Sequence, residues 1–81
     1  MDRARVMSEV QEIFRENFDD DSLVLADGTS AADIEDWDSL EQINLLTAIE
    51  KKYGLKFSLN DVRGLVNVGE LLDLLDRLGV Q

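Results

Sequence analysis

The run Glu35-Asp36-Trp37-Asp38-Ser39-Leu40-Glu41, continuous with Gln42 to Tyr53, decides how the rest of the chain is read. An acid, a serine and an apolar residue stand in succession at the mouth of a long amphipathic stretch. Local physics alone makes this a helix start. Asp38 is placed to accept from the orphan N–H groups of the first turn. Glu41, three residues on, is placed to reach back and complete a capping box. Ser39 then takes the first helical position, its hydroxyl toward solvent at the positive end of the helix dipole. Dipole and free N–H groups together favour a bound or attached phosphate at such a position.

Working outward, the second helix is expected over Ser39 to Tyr53. Leu45, Leu46, Ile49 and Tyr53 form one stripe, with Gln42 at its upper end. Leu40, Ile43 and Thr47 lie on a flank expected to stay partly exposed. Lys51 and Lys52 complement the carbonyl end of the dipole, and Gly54 is a natural left-handed stop. Toward the N-terminus, Val6, Met7, Val10, Ile13 and Phe14 recur at helical spacing and predict a helix from Asp2 to about Phe18.

A long loop joins these two helices. Asp19-Asp20-Asp21-Ser22 ends the first. It is not a calcium loop, because the sixth and twelfth residues counted from Asp19 are Val24 and Ser30 instead of Gly and Glu. Leu23, Val24 and Leu25 are expected to fold back over the bundle. Ser30-Ala31-Ala32-Asp33 repeats the capping-box pattern and predicts one short helical turn. Ile34 and Trp37 supply apolar anchors. Connections of this length are usually functional or tied down by their own side chains.

Beyond Gly54, Ser58-Leu59-Asn60-Asp61 opens a helix of one or two turns through Val62, ending before Gly64. Leu65, Val66, Val68, Leu71, Leu72, Leu74, Leu75 and Leu78 mark a last helix from roughly Asn67 to Leu78. The expected fold is all-α: a four-helix bundle forming one domain over residues 1–81, with a long first loop and a short third helix. The long connection lets the first two helices run roughly parallel, with the fourth packed against both.

Composition narrows the function. A chain of 81 residues makes a single small core and buries only about 60–65% of its unfolded surface. It has no Cys and no His, so it has no thiol nucleophile and lacks the side chain that most often acts as a base near neutral pH. The net charge of −10 argues against nucleic-acid binding, which needs a basic stripe, and favours basic patches on partners. No signal-peptide core and no membrane-length apolar run is present. A cytoplasmic monomer, neither inserted in a membrane nor bound to nucleic acid, is the expectation.

In Asp36-Trp37-Asp38-Ser39-Leu40, in the striped helix ending Ala48-Ile49-Glu50-Lys51-Lys52-Tyr53-Gly54, and in the short third helix, the chain resembles the acyl carrier proteins. The resemblance spans nearly the whole chain. Its specificity lies in the place of the Asp-Ser-Leu triplet: midway along an acidic chain, at the start of the second helix, after a long loop. It implies that Ser39 receives a covalent 4′-phosphopantetheine from coenzyme A. A phosphopantetheinyl transferase using a magnesium ion makes that attachment. Asp38 would be helix cap and transferase-recognition residue, with Leu40 beside it. The arm's thiol would carry acyl groups as thioesters, which suits a chain with no Cys. The protein would be a carrier and not an enzyme, meeting acyl-loading and acyl-processing enzymes (synthases, transferases and reductases). Leu40, Glu41, Ile43, Asn44, Thr47, Glu50 and Val62 would form the partner surface. An acyl chain would enter among Leu45, Leu46, Ile49, Val62, Val66 and Leu71, admitted by movement of the first loop and third helix.

The chain departs from the housekeeping fatty-acid carriers. Those have Gly two residues before the Asp of Asp-Ser-Leu, where this chain has Asp36, with Trp37 between. Asn44, Lys51, Lys52 and Arg63 stand where those carriers are acidic. This form looks more like specialised free-standing carriers of polyketide, modified-lipid or saccharide pathways. A start at Met1 and a stop just past the last helix suit a discrete protein. An aminoacyl or glyceryl-type cargo is an alternative within the family. From the residues alone, a helical interaction module with no prosthetic group, gripping a partner helix through the apolar flank, also stays open.

Overall fold

The computed structural model describes residues 1–81 and contains four helices: α1 (Arg3–Phe18), α2 (Ser39–Tyr53), α3 (Leu59–Arg63) and α4 (Val68–Arg77). Each starts on a short polar side chain that accepts a backbone N–H three residues on: Asp2, Asp38, Ser58 and Asn67. The stops are local too. Asp19 closes α1 in the left-handed region at φ 50°, which Asp tolerates better than most residues. Gly54 closes α2 at φ 64°, where a Cβ would be strained.

One core joins these elements. Val6, Val10 and Phe14 from α1 meet Leu45 and Ile49 from α2, and Val68, Leu71, Leu72 and Leu75 from α4. Leu25 and Ile34 of the first loop complete it, and α3 adds no buried residue. Leu23 is half-buried, but Val24 between Leu23 and Leu25 is 76% exposed. In a non-helical run neighbouring side chains take opposite sides, so the expectation that all three turn inward holds for only two.

The helix directions differ from the expectation. Asn17, at the end of α1, donates to Glu41 at the start of α2 (2.7 Å). Tyr53, at the end of α2, donates its hydroxyl to Glu9 in the first half of α1 (2.8 Å). The two helices are therefore antiparallel. The long loop is not a crossover to the far end; it leaves and returns at the same end. Its length goes into an excursion to α4, where the Asp27 and Thr29 carbonyls accept from Gly69 N–H (2.8 Å) and Val68 N–H (2.9 Å). α2 and α4 run in the same sense: Ser39 and Val68 border one cleft, Tyr53 and Leu78 another at the opposite end.

Side-chain bonds hold the loop against the helices. Gln11 accepts from Leu25 N–H (2.9 Å), and Arg15 donates to the Leu23 carbonyl (2.8 Å). Arg3 donates to Asp73, the Gly69 carbonyl and Asp27 at 2.9, 3.2 and 3.3 Å, joining α1, α4 and the loop. The Ser30–Asp33 segment folds as a turn and not as a helix. Asp33 accepts from Ser30 N–H at 2.9 Å, and the next turn, closed by Trp37 N–H on the Ile34 carbonyl (3.1 Å), is a separate one, so no helix propagates.

Candidate functional site

Ser39 is the first residue of α2 and is exposed. Asp38 accepts from Glu41 N–H at 2.9 Å, and its carbonyl accepts from Gln42 N–H at 2.9 Å. That leaves the Ser39 and Leu40 N–H groups with no partner in the chain. Two free donors at the positive end of a fifteen-residue helix, beside an exposed hydroxyl, suit an attached phosphate.

Ser39 stands on the rim of a cleft of about 600 Å³, within the usual range of ligand pockets. Its walls are mostly apolar, with Phe14 from α1, Leu45 and Leu46 from α2, Val62 from α3 and Leu71 from α4. Trp37 closes one side. Its ring meets Phe14 edge-on at 5.2 Å, and its Nε1–H donates to Gln42 Oε1 at 2.6 Å. Ile49 was expected in this wall, but it is fully buried in the core beneath. Phe14, Trp37, Gln42 and Asn67 were not expected there. The available signal was Gln42 itself, an amide on an otherwise apolar stripe.

The expected partner surface divides. Leu40 and Ile43 are 64% and 61% exposed, large apolar side chains held in water on one flank of α2. Thr47 and Asn44 are exposed with them. Glu41 is not free, and it does not complete a capping box. Its carboxylate accepts from Asn17 (2.7 Å) and Asn44 (3.0 Å), because the antiparallel α1 brings Asn17 within reach. Glu50 is also engaged, accepting from Phe57 N–H at 2.8 Å and so tying the α2–α3 link to α2. Val62 is half-buried and lines the cleft together with Ile43.

Electrostatics at the opposite pole are of another kind. Burial, and next the Glu9 carboxylate it donates to, push the Tyr53 phenol above its ordinary range, so it stays a neutral donor across the physiological range.

The phosphopantetheine attachment site family matches residues 8–75. The solution NMR structure of the holo acyl carrier protein from Geobacter metallireducens is 48% identical. It superposes with a TM-score of 0.82 over 88% of this chain and 82% of that one. No curated protein sequence matches the chain. The chain belongs to the phosphopantetheine-attachment family. Within that family it is an acyl carrier protein: a carrier, not an enzyme, whose prosthetic group is a covalently attached 4′-phosphopantetheine. The exposed hydroxyl, the two free N–H groups and the adjoining apolar cleft fit that group. Carriers of this kind meet a phosphopantetheinyl transferase and acyl-handling enzymes. No helix of this chain is long and apolar enough to cross a membrane.

Proposed function

We propose that Ser39 Oγ is the attachment point and that the protein serves a specialised acyl pathway. The observation that carries the first statement is the exposed Ser39 hydroxyl at the start of α2, on the rim of the apolar cleft. When attached, the arm supplies a thiol that holds an acyl group as a thioester. The chain's own residues do the rest. The free Ser39 and Leu40 N–H groups are placed to donate hydrogen bonds to the phosphate, and Asp38 holds the first turn of α2 in shape. The cleft takes the apolar part of the cargo out of water. Leu40, Ile43 and Thr47 present the docking flank to a transferase or an acyl-handling enzyme, with the protein acting as a monomer.

The pathway reading rests on residues at that surface. Glu41 and Glu50 are engaged within the fold, and Lys51 and Arg63 are exposed, while Lys52 lines the cleft at the far end beside Tyr53. The docking face is therefore less acidic than the net charge of −10 suggests. This supports partners that read apolar contact more than charge, unlike those of a housekeeping fatty-acid carrier.

Intact-protein mass tests the attachment. Incubation with coenzyme A, magnesium and a broad-specificity transferase is expected to add one phosphopantetheine to the wild type and none to Ser39→Ala. Addition to the folded Ser39→Ala variant would move the site elsewhere. For the pathway, failure to complement loss of a housekeeping fatty-acid carrier is the expected outcome, and full complementation would overturn it.

A further inference from the structure

The cleft beside Ser39 is not uniformly apolar. Besides Asp38 and Ser39 on its rim, its polar side chains are Gln42 of α2 and Asn67 at the start of α4. Each of these two carboxamides has its oxygen occupied within the fold. Gln42 Oε1 accepts from the Trp37 indole (2.6 Å), and Asn67 Oδ1 accepts from Glu70 N–H as the cap of α4 (2.9 Å). The indole and backbone nitrogens only donate, so these bonds fix which end of each amide is oxygen. The amide nitrogens, Gln42 Nε2 and Asn67 Nδ2, have no partner in the chain. No buried side-chain polar atom is orphaned, so both nitrogens reach solvent, and both residues line the cleft. Gln42 lies one helical turn from Ser39 (i, i+3), on the same face of α2.

A purely hydrocarbon ligand would cover these donors and leave them unpaired, which is unfavourable. An oxygen acceptor would satisfy them. Resting on the assignment of Ser39 above, we propose that Gln42 and Asn67 are specificity-determining donors for a carbonyl or hydroxyl oxygen held in this cleft. The occupant that satisfies them is a 3-oxo or 3-hydroxyacyl thioester, or an amide carbonyl of the arm itself. A saturated acyl chain of the same length satisfies neither. Trp37 is the positioning residue that aims Gln42, and as the protein's sole tryptophan it also reports on the site.

The test compares the arm alone, a saturated acyl load and a 3-hydroxyacyl load of equal length. Each is first verified by intact mass, so failure to load counts against Ser39 and not against the donors. Thermal midpoint and Trp37 emission are then read in the wild type, Gln42→Glu and Asn67→Asp. Both variants keep the accepting oxygen and lose the donor, so Trp37 and the α4 cap stay paired. The 3-hydroxyacyl form is expected to melt about 4–8 °C above the saturated form, the shift for one added hydrogen bond in a chain this size. Its Trp37 emission should shift, and both differences should shrink in the variants. A variant-sensitive midpoint already present with the arm alone would assign the acceptor to the arm. Midpoints that neither differ between loads nor respond to either variant, or load differences untouched in both variants, would overturn the proposal.

Discussion

Gly69 is where the first loop and α4 come closest, and the contact is steric. A Cβ built there would lie 2.9 Å from the Asp27 carbonyl oxygen and 3.0 Å from the Asp27 Cβ. The same carbonyl accepts from Gly69 N–H at 2.8 Å, so the loop cannot back away without breaking that bond. Gly69→Ala is therefore expected to destabilise the fold by about 1–3 kcal/mol, the cost of forcing atoms into a packed site. Its midpoint in urea should fall. Amide protection should be lost first at Val68 and Gly69. A variant as stable as the wild type would mean the loop is free to shift. Gly28, which has open space around its Cβ position, is the matching control.

At the scale of elements, α3 is the least secured. It has five residues, none buried, and is held by a capping box between Ser58 and Asp61. Ser58 N–H donates to Asp61 Oδ2 at 3.0 Å, and Asp61 N–H donates to Ser58 Oγ at 3.1 Å. The Ser58 backbone N–H, and next its hydroxyl, hold the Asp61 carboxyl below the usual aspartate range. A carboxylate depressed in the fold stabilises it above the unfolded pKa, and that contribution is lost as pH falls through the folded value. Protection factors of Leu59–Arg63 should accordingly drop below about pH 4, ahead of those in α1, α2 and α4. Ser58→Ala should cost α3 roughly fivefold in protection already at neutral pH, and Asp61→Ala, which removes the titrating carboxyl, should flatten the acid dependence. An acid response unchanged in Asp61→Ala would remove the cap as its cause. The loop is bonded to α1 and α4 at several points, so of the two segments expected to move, α3 should lose protection first.

For the whole molecule, the dominant electrostatic fact is a net charge of −10 on a body of 29 × 25 × 22 Å. Four ion pairs oppose it: Arg3 with Asp27 and Asp73, Arg15 with Glu12, and the N-terminus with Asp76. Each includes an exposed carboxylate, and exposed pairs contribute about 0–1 kcal/mol apiece. Self-repulsion acts over the whole surface and outweighs them. Raising salt from about 0.01 M to 1 M shortens the screening length from about 30 to 3 Å, so the thermal midpoint should rise. A fall would mean that the Arg3 pairs joining loop, α1 and α4 carry more of the stability than the repulsion removes.

Much of this protein was readable from local rules. Caps and stops are short-range, so Asp38, Ser58, Gly54 and the helical repeats placed the elements to within a residue or two. The exposed Ser39 at the start of α2 follows from the same physics. What the chain order left open was every relation between distant residues. A long loop permits either helix direction, and only the pairing of Asn17 with Glu41 and of Glu9 with Tyr53 shows that α1 and α2 are antiparallel. That direction then decides which carboxylates are consumed inside the fold. It also brings Phe14 of α1, Trp37 of the loop, Gln42 of α2 and Asn67 at the start of α4 around one cleft. Periodicity names the residues that turn inward, but packing alone decides which of them meet, because those contacts join residues far apart in the chain.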